Sequence, residues 1–182
     1  MMPRRLLLGV AACLLAMPVL AADMPYAGQQ ARPIKALSDD DIAALRKGEG
    51  MGMGMAKAAE LNGYPGPAHV LTLAAQLGLT ETQQRDVRTI FERMSAAAKS
   101  LGAELITREE VLDQLFAQRE ITPDRLTVET TAIAELQGRL RSAHLTAHLA
   151  TRALLNPDQI ARYQQLRGYG EPPEPAQHHH HG

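Results

Sequence analysis

Apolar side chains recur every three or four residues between about residue 80 and residue 117. At 100° per residue they fall on one stripe of an α-helix, and Gly102 interrupts the stripe without changing its phase. The stripe comprises Val87, Ile90, Phe91, Met94, Ala98, Leu101, Leu105, Leu112, Leu115 and Phe116. A helix of this length spans roughly 57 Å and cannot bury its apolar face alone, so the pattern predicts a partner helix.

A second stripe supplies that partner. Thr122 followed by Pro123 is typical of an N-cap and a first helical residue, so a second long helix is predicted to start there. Its inner stripe comprises Leu126, Ile133, Leu136, Leu140, Ala143, Ala147, Thr151 and Leu154. Two long amphipathic helices joined by a tight turn predict an all-α fold built on an antiparallel hairpin.

Short helices are predicted on both sides of the hairpin. Ser38 with three acidic residues after it marks the start of one, which should end at Gly48. A second should run from His69 to residue 77, and a third from Pro157 to about Gly168.

Two short segments of the chain have the same design, residues 79–83 (LTETQ) and residues 155–159 (LNPDQ). Each has a leucine, then a capping residue, then a glutamine three positions after the cap. The cap side chain accepts from a free backbone N–H, and the glutamine reaches back to the N–H of the cap. The residues that carry the two boxes are Leu79, Thr80, Gln83, Leu155, Asn156 and Gln159.

The N-terminus resembles a secretory signal peptide, with Arg4 and Arg5, a short apolar run and a Val-Leu-Ala pattern that ends at Ala21. The run is too short for a membrane span, so no membrane insertion is expected after cleavage. Cys13 allows lipidation as an alternative, but the residues after it stay apolar. Cleavage would remove the one cysteine, so the mature protein would have no disulfide and no thiolate for metal binding or catalysis. The mature net charge of about −3 gives no indication of nucleic-acid binding.

The two boxes, behind a signal peptide and around a long helical hairpin, resemble the Spy/CpxP family of periplasmic proteins, which is related to ZraP and to periplasmic heavy-metal sensors. Asn156 replaces the usual threonine but keeps the capping chemistry. The resemblance covers residues 67–168, with an extension carrying a short helix and a Gly/Met-rich loop at 22–66 and a Pro/His-rich tail at 169–182. It implies a Gram-negative periplasmic protein with a curved, often dimeric, four-helix fold. Some members shield unfolded clients without ATP, and others bind metal and tune an envelope stress response.

His144 and His148 are candidate metal ligands, because residues at i and i+4 lie on one helical face and can bind a single zinc, copper or nickel ion. Leu145 stands where a zinc protease would need its glutamate. A third ligand, from His69, a glutamate or a second protomer, is not identified. The alternative is that both histidines are polar residues at the rim of the buried stripe.

Met51, Met53 and Met55 alternate with glycines and offer thioethers suited to Cu(I) or Ag(I). Adaptable apolar packing, or a methionine-lined patch that touches clients, is the alternative. His178–His181 can bind metal ions weakly, or are part of a purification tag.

Leu145, Leu149 and Arg152 lie roughly opposite the inner stripe of their helix. They favour a dimer interface or a client-binding surface, although scattered exposed leucines are also normal. No nucleophile or phosphate loop is recognisable, so no catalytic residue and no required cofactor is predicted. The main hypothesis is an ATP-independent chaperone-like protein that binds unfolded envelope proteins. The alternative is a metal-binding sensor or resistance protein, with a membrane sensor as a possible partner.

Overall fold

Two long helices dominate the structure, a computed structural model that describes residues 25–50 and 54–169. Within these residues every regular element is helical, as predicted. They are a 3-10 helix Gln29–Ala31 and the α-helices α1 Asp39–Lys47, α2 Lys57–Glu60, α3 Pro67–Thr72, α4 Glu81–Ala117, α5 Pro123–Leu154 and α6 Pro157–Leu166. Helices α4 and α5 pack against each other as the predicted hairpin. No described helix has the length and apolar character that crossing a membrane requires.

Contacts within the backbone divide the chain into two units, residues 1–30 and residues 31–182. Of the first unit the structure describes residues 25–30, where the amide of Gln29 donates to the carbonyl of Tyr26. The signal peptide, Cys13, Met51, Met53 and the histidines of the tail lie outside the described residues. All six α-helices belong to the second unit.

The core of this second unit has two parts, and the N-terminal extension contributes to the first. Residues from before and after α1 pack with α1 itself on the middle of the hairpin. This first core comprises Ile34, Leu37, Leu45, Met55, Ala98, Leu101, Leu105, Ile106, Ile133, Leu136 and Leu140. The second core lies where α3, α4 and α6 meet, and comprises Val70, Leu77, Leu79, Val87, Leu155 and Tyr163. The part of the extension that follows residue 30 therefore belongs to the packed interior.

At Gly102 the backbone of α1 lies very close to α4. A Cβ atom at this position would lie 2.4 Å from the carbonyl oxygen of Leu45, which is backbone and cannot move aside easily. The sequence alone suggests only an inexpensive interruption of the helix. In the structure the missing side chain is what lets the two helix backbones approach.

Two details of the predicted pattern are wrong. The helical period places Phe116 and Leu126 on the buried stripes, but they are 54% and 39% exposed, because the extension covers the middle of the hairpin and leaves its tip open. Helix α3 also ends at Thr72 rather than at residue 77. Successive turns follow it and direct Leu77 and Leu79 into the second core.

Candidate functional site

The two capping boxes are in direct contact. Nε2 of Gln83 donates to Oε1 of Gln159 at 3.0 Å, and Nε2 of Gln159 donates to Oε1 of Gln83 at 3.2 Å. Gln83 also donates to the carbonyl of Leu154 at 2.8 Å. Each glutamine completes its own capping box with Thr80 or Asn156, as predicted. The boxes therefore start two helices and also join the beginning of α4 to the junction of α5 and α6.

A carboxylate from the extension reaches α6. Glu60, the last residue of α2, accepts a hydrogen bond from the hydroxyl of Tyr163 at 2.5 Å and one from the amide of Gly66 at 3.2 Å. Nε of Arg167 lies 3.4 Å from the same carboxylate. Burial raises the pKa of Tyr163 above its usual range, and the bond to Glu60 adds to this, so the hydroxyl stays protonated and keeps donating.

Two histidines face this carboxylate. Nδ1 of His148 lies 3.7 Å from Glu60, and Nδ1 of His69 lies 3.8 Å from it. Nδ1 of His148 is also 2.7 Å from the carbonyl oxygen of Tyr64, which can only accept, so this nitrogen carries the proton. Burial lowers the pKa of His69, and the nearby charge of Arg167 adds to this effect. His69 is therefore neutral at neutral pH.

His144 and His148 lie beneath the extension and not at its edge. They are 5% and 7% exposed, so the alternative interpretation, which places both at the rim of the buried stripe, understates their burial. A Cβ atom at Gly50 would lie 2.8 Å from the ring of His144, and one at Gly66 would lie 2.9 Å from the ring of His148. The two glycines thus let the backbone of the extension lie directly on both rings.

The histidines and Glu60 line one cavity of about 710 Å³ between the extension and the hairpin. Burial, with a smaller contribution from the charge of His148, lowers the pKa of His144. Nε2 of His144 is buried and has no hydrogen-bond partner among the described residues. Although the cavity brings His69, His144 and His148 together, the described residues contain no group of three or more His, Cys, Asp or Glu side chains placed to hold a metal ion. Met55 packs in the first core instead.

The surface predicted on the outer side of α5 is only partly free. Leu149 is 58% exposed, and Leu145 is half-buried. Arg152 donates to the carbonyl of Gly63, and its guanidinium lies 4.7 Å from the ring centre of Tyr64. Arg152 therefore anchors the extension on the hairpin.

The tip of the hairpin is a second exposed apolar surface, which the sequence pattern does not predict. It consists of Phe116, near the end of α4, and Leu126, near the start of α5. Val128 is also exposed, but it comes two positions after Leu126 and therefore lies on nearly the opposite side of α5. The helical period assigns the first two to the inner stripe, so periodicity gives no signal for this surface. The sequence pattern also fails to predict the cluster of Glu60, Tyr163 and Arg167, because no local motif connects residues that lie so far apart in the chain.

Comparison with known families gives a match over residues 68–167, to the model described as LTXXQ motif family protein. The match covers more than half of the chain and includes both boxes, α4 and α5. No curated protein and no solved structure matches the chain. The chain therefore belongs to the LTXXQ motif family, which is the family of Spy/CpxP-type proteins.

Proposed function

We propose that this protein is an ATP-independent, chaperone-like protein of the periplasm that binds unfolded envelope proteins. Its family is typically periplasmic and generally non-enzymatic. The observation that carries the proposal is the apolar surface at the tip of the hairpin, where Phe116 is 54% and Leu126 is 39% exposed. An unfolded chain offers the short apolar segments that would cover such side chains.

The surroundings of the tip support weak and reversible binding of an unfolded chain. Arg125 and Glu120 form an exposed ion pair at 3.4 Å beside the turn, so the apolar side chains are bordered by polar groups. A single exposed leucine would need no explanation, but large apolar residues from both long helices at one end of a hairpin favour an interaction surface. Export through the signal peptide of residues 1–21 and a homodimer that uses Leu149 belong to the same proposal.

Suppression of aggregation tests this function. The mature protein, mixed in several-fold molar excess with a chemically denatured client, should reduce light scattering as the client is diluted into buffer without ATP. The double variant Phe116→Gln/Leu126→Gln should lose most of this effect, because it removes the apolar contacts and leaves the core unchanged.

Leu166→Gln is the matched control, since Leu166 is a partly exposed leucine far from the tip in sequence, on α6. It should suppress aggregation as well as the wild type does. A wild-type protein without effect would reject the chaperone proposal, and an unchanged tip variant would reject this surface. Light scattering from the protein without client gives the molar mass of the protein, and a monomer would contradict the proposed dimer.

A second candidate function is metal binding, as a sensor or resistance protein. His144 and His148 line one cavity and are close in space, and the lowered pKa of His144 keeps its ring neutral and able to bind a metal ion. Two imidazoles give at most half of a tetrahedral zinc site, so a third ligand from His69 or a partner protein is part of this proposal. A membrane sensor would be such a partner.

Calorimetric titration with Zn(II), Cu(II), Ni(II) and Cu(I) tests the metal site. The protein should carry a His178–His181 deletion, because those residues would bind metal ions on their own. The double variant His144→Gln/His148→Gln should lower the affinity at least tenfold. Binding that is unchanged in the double variant would exclude this pair as ligands.

A further inference from the structure

The part of the extension from residue 31 to residue 48, which we call the arm, packs on the middle of the hairpin. Its side chains Ile34, Leu37 and Leu45 are buried in the first core. Both long helices contribute to this core, and we call their contribution the central face: Ala98, Leu101, Leu105, Ile106, Ile133, Leu136 and Leu140. The family match includes the central face but begins after the arm. The apolar surface and the segment that covers it therefore come from separate parts of the chain.

The arm is built like a peptide that binds as an amphipathic helix. Helix α1 has its own capping box at Ser38 and its own left-handed end at Gly48, so its ends do not depend on the hairpin. Leu45 is buried and Ile42 packs against the core, whereas the charged side chains of α1 are exposed or half-buried. Docking of a short amphipathic helix by its apolar side is a common mode of peptide recognition.

Directional contacts hold the arm to the hairpin near its start. The amide and Nζ of Lys35 donate to the carboxylate of Asp113 at 3.1 and 3.0 Å, at an exposed position. From residue 36 to residue 48, the hydrogen bonds and ion pairs of the described structure join the arm to itself or to Glu49. The contact of α1 with the central face is therefore apolar. Apolar contacts are not directional, so another segment with apolar side chains at helical spacing can replace them.

The end of the arm borders the cavity described above. Lys47 and Gly48 line it from the arm, and Phe91, Met94 and Ser95 line it from α4. Packing between the arm and the hairpin is thus incomplete at this end. Segments with few buried contacts open at a lower free energy than the rest of a fold, which favours release of the arm from this end.

We propose that the arm is an internal occupant of the central face, and that an amphipathic apolar segment of an unfolded protein displaces it. This inference rests on the proposed function, because it gives the clients a second binding surface. The tip of the hairpin is always exposed, whereas the central face becomes available only when the arm leaves. Since the arm is tethered, its high effective concentration excludes weakly apolar segments and selects strongly apolar ones.

A fluorescent peptide with the sequence of residues 34–48 tests the displacement, by anisotropy with the mature protein of residues 22–182. Leu45→Ala in the protein weakens its own arm and leaves the central face unchanged. The peptide keeps its leucine and should bind this variant about tenfold more tightly than the wild type, because a larger fraction of the protein is open. Lys35→Gln, at an exposed position, should raise the affinity by a smaller factor, about two- to fivefold, since the peptide can pair with Asp113 instead.

Leu77→Ala is the matched control, because it truncates a buried leucine of the second core and leaves the arm intact. Its affinity for the peptide should stay within about twofold of the wild type. A control peptide with Leu37→Asp/Leu45→Asp should not bind to any of the proteins.

A disulfide that fixes the arm tests the same inference in the opposite direction. A Cβ atom at Gly48 would lie 3.2 Å from the Cβ atom of Ala98. This is close to the separation of about 3.5–4.5 Å in disulfides, and residues 22–182 contain no other cysteine. In the Leu45→Ala background, oxidised Gly48→Cys/Ala98→Cys should bind the peptide about tenfold more weakly, and a reductant should restore binding.

Peptide binding that is equal in Leu45→Ala and Leu77→Ala, or that is insensitive to oxidation of the disulfide, would overturn the inference. A denatured client should displace the peptide from Leu45→Ala, and a client that leaves it bound would also overturn the inference. Aggregation suppression without peptide binding would retain the proposed function and reject the central face. Peptide binding without aggregation suppression would reject the proposed function and retain the displaceable arm.

Discussion

Replacing Gly102 by valine is expected to lower the free energy of unfolding by about 3 kcal/mol. A Cβ atom there would lie 2.4 Å from the carbonyl oxygen of Leu45 and 3.0 Å from its carbonyl carbon. Both atoms are backbone, so α1 must move away from α4 and lose part of its packing in the first core. Urea unfolding followed by circular dichroism measures the change.

Gly138→Ala is the matched control, since Gly138 is also a glycine inside a long helix but has no atom within 4 Å of an added Cβ. It should raise the free energy of unfolding by up to about 1 kcal/mol, through helix propensity alone. Gly102→Ala should be destabilising although the same propensity favours it. If both alanine variants stabilise the protein equally, the close approach of α1 and α4 is wrong.

Replacing Gln83 or Gln159 by alanine is expected to cost about 2 kcal/mol each, because each variant removes a capping contact and leaves partly buried partners unsatisfied. Gln83 loses its bonds to Gln159 and to the carbonyl of Leu154. Once one glutamine is absent, the second has less to lose. The double variant should therefore cost about 1 kcal/mol less than the sum of the single variants.

Gln76→Ala is the control for this cycle, because Gln76 is exposed and lies outside both boxes. It should change the stability by less than about 0.5 kcal/mol. Strict additivity of the Gln83 and Gln159 variants would show that the boxes act separately, each on its own helix.

The elements of this fold were predictable where the determinants are local. The caps at Ser38, Thr80, Thr122 and Asn156 act within three residues of the helix start, and the structure has all four. The inner stripes predicted the hairpin because two long apolar faces have few other ways to leave water. Periodicity also overextended the buried stripes to Phe116, since it reports which face is apolar and not how far a partner covers it.

The candidate site depended on contacts that no local pattern encodes. Glu60 meets Tyr163 across 103 positions, and Nδ1 of His148 meets the carbonyl of Tyr64 across 84. The spacing of His144 and His148 correctly placed them on one face of α5. Their burial depends on Gly50 and on the turn after α2, whose path over the hairpin is a tertiary property.

Because the extension contributes to the first core, a gene fragment that encodes the folded domain has to include the extension. The family match begins at residue 68, but Ile34, Leu37, Leu45 and Met55 lie before it and belong to the same packed interior. A gene fragment that begins at the family boundary would encode a hairpin with its central apolar stripe in water. The recognisable segment is thus shorter than the segment that buries its own core.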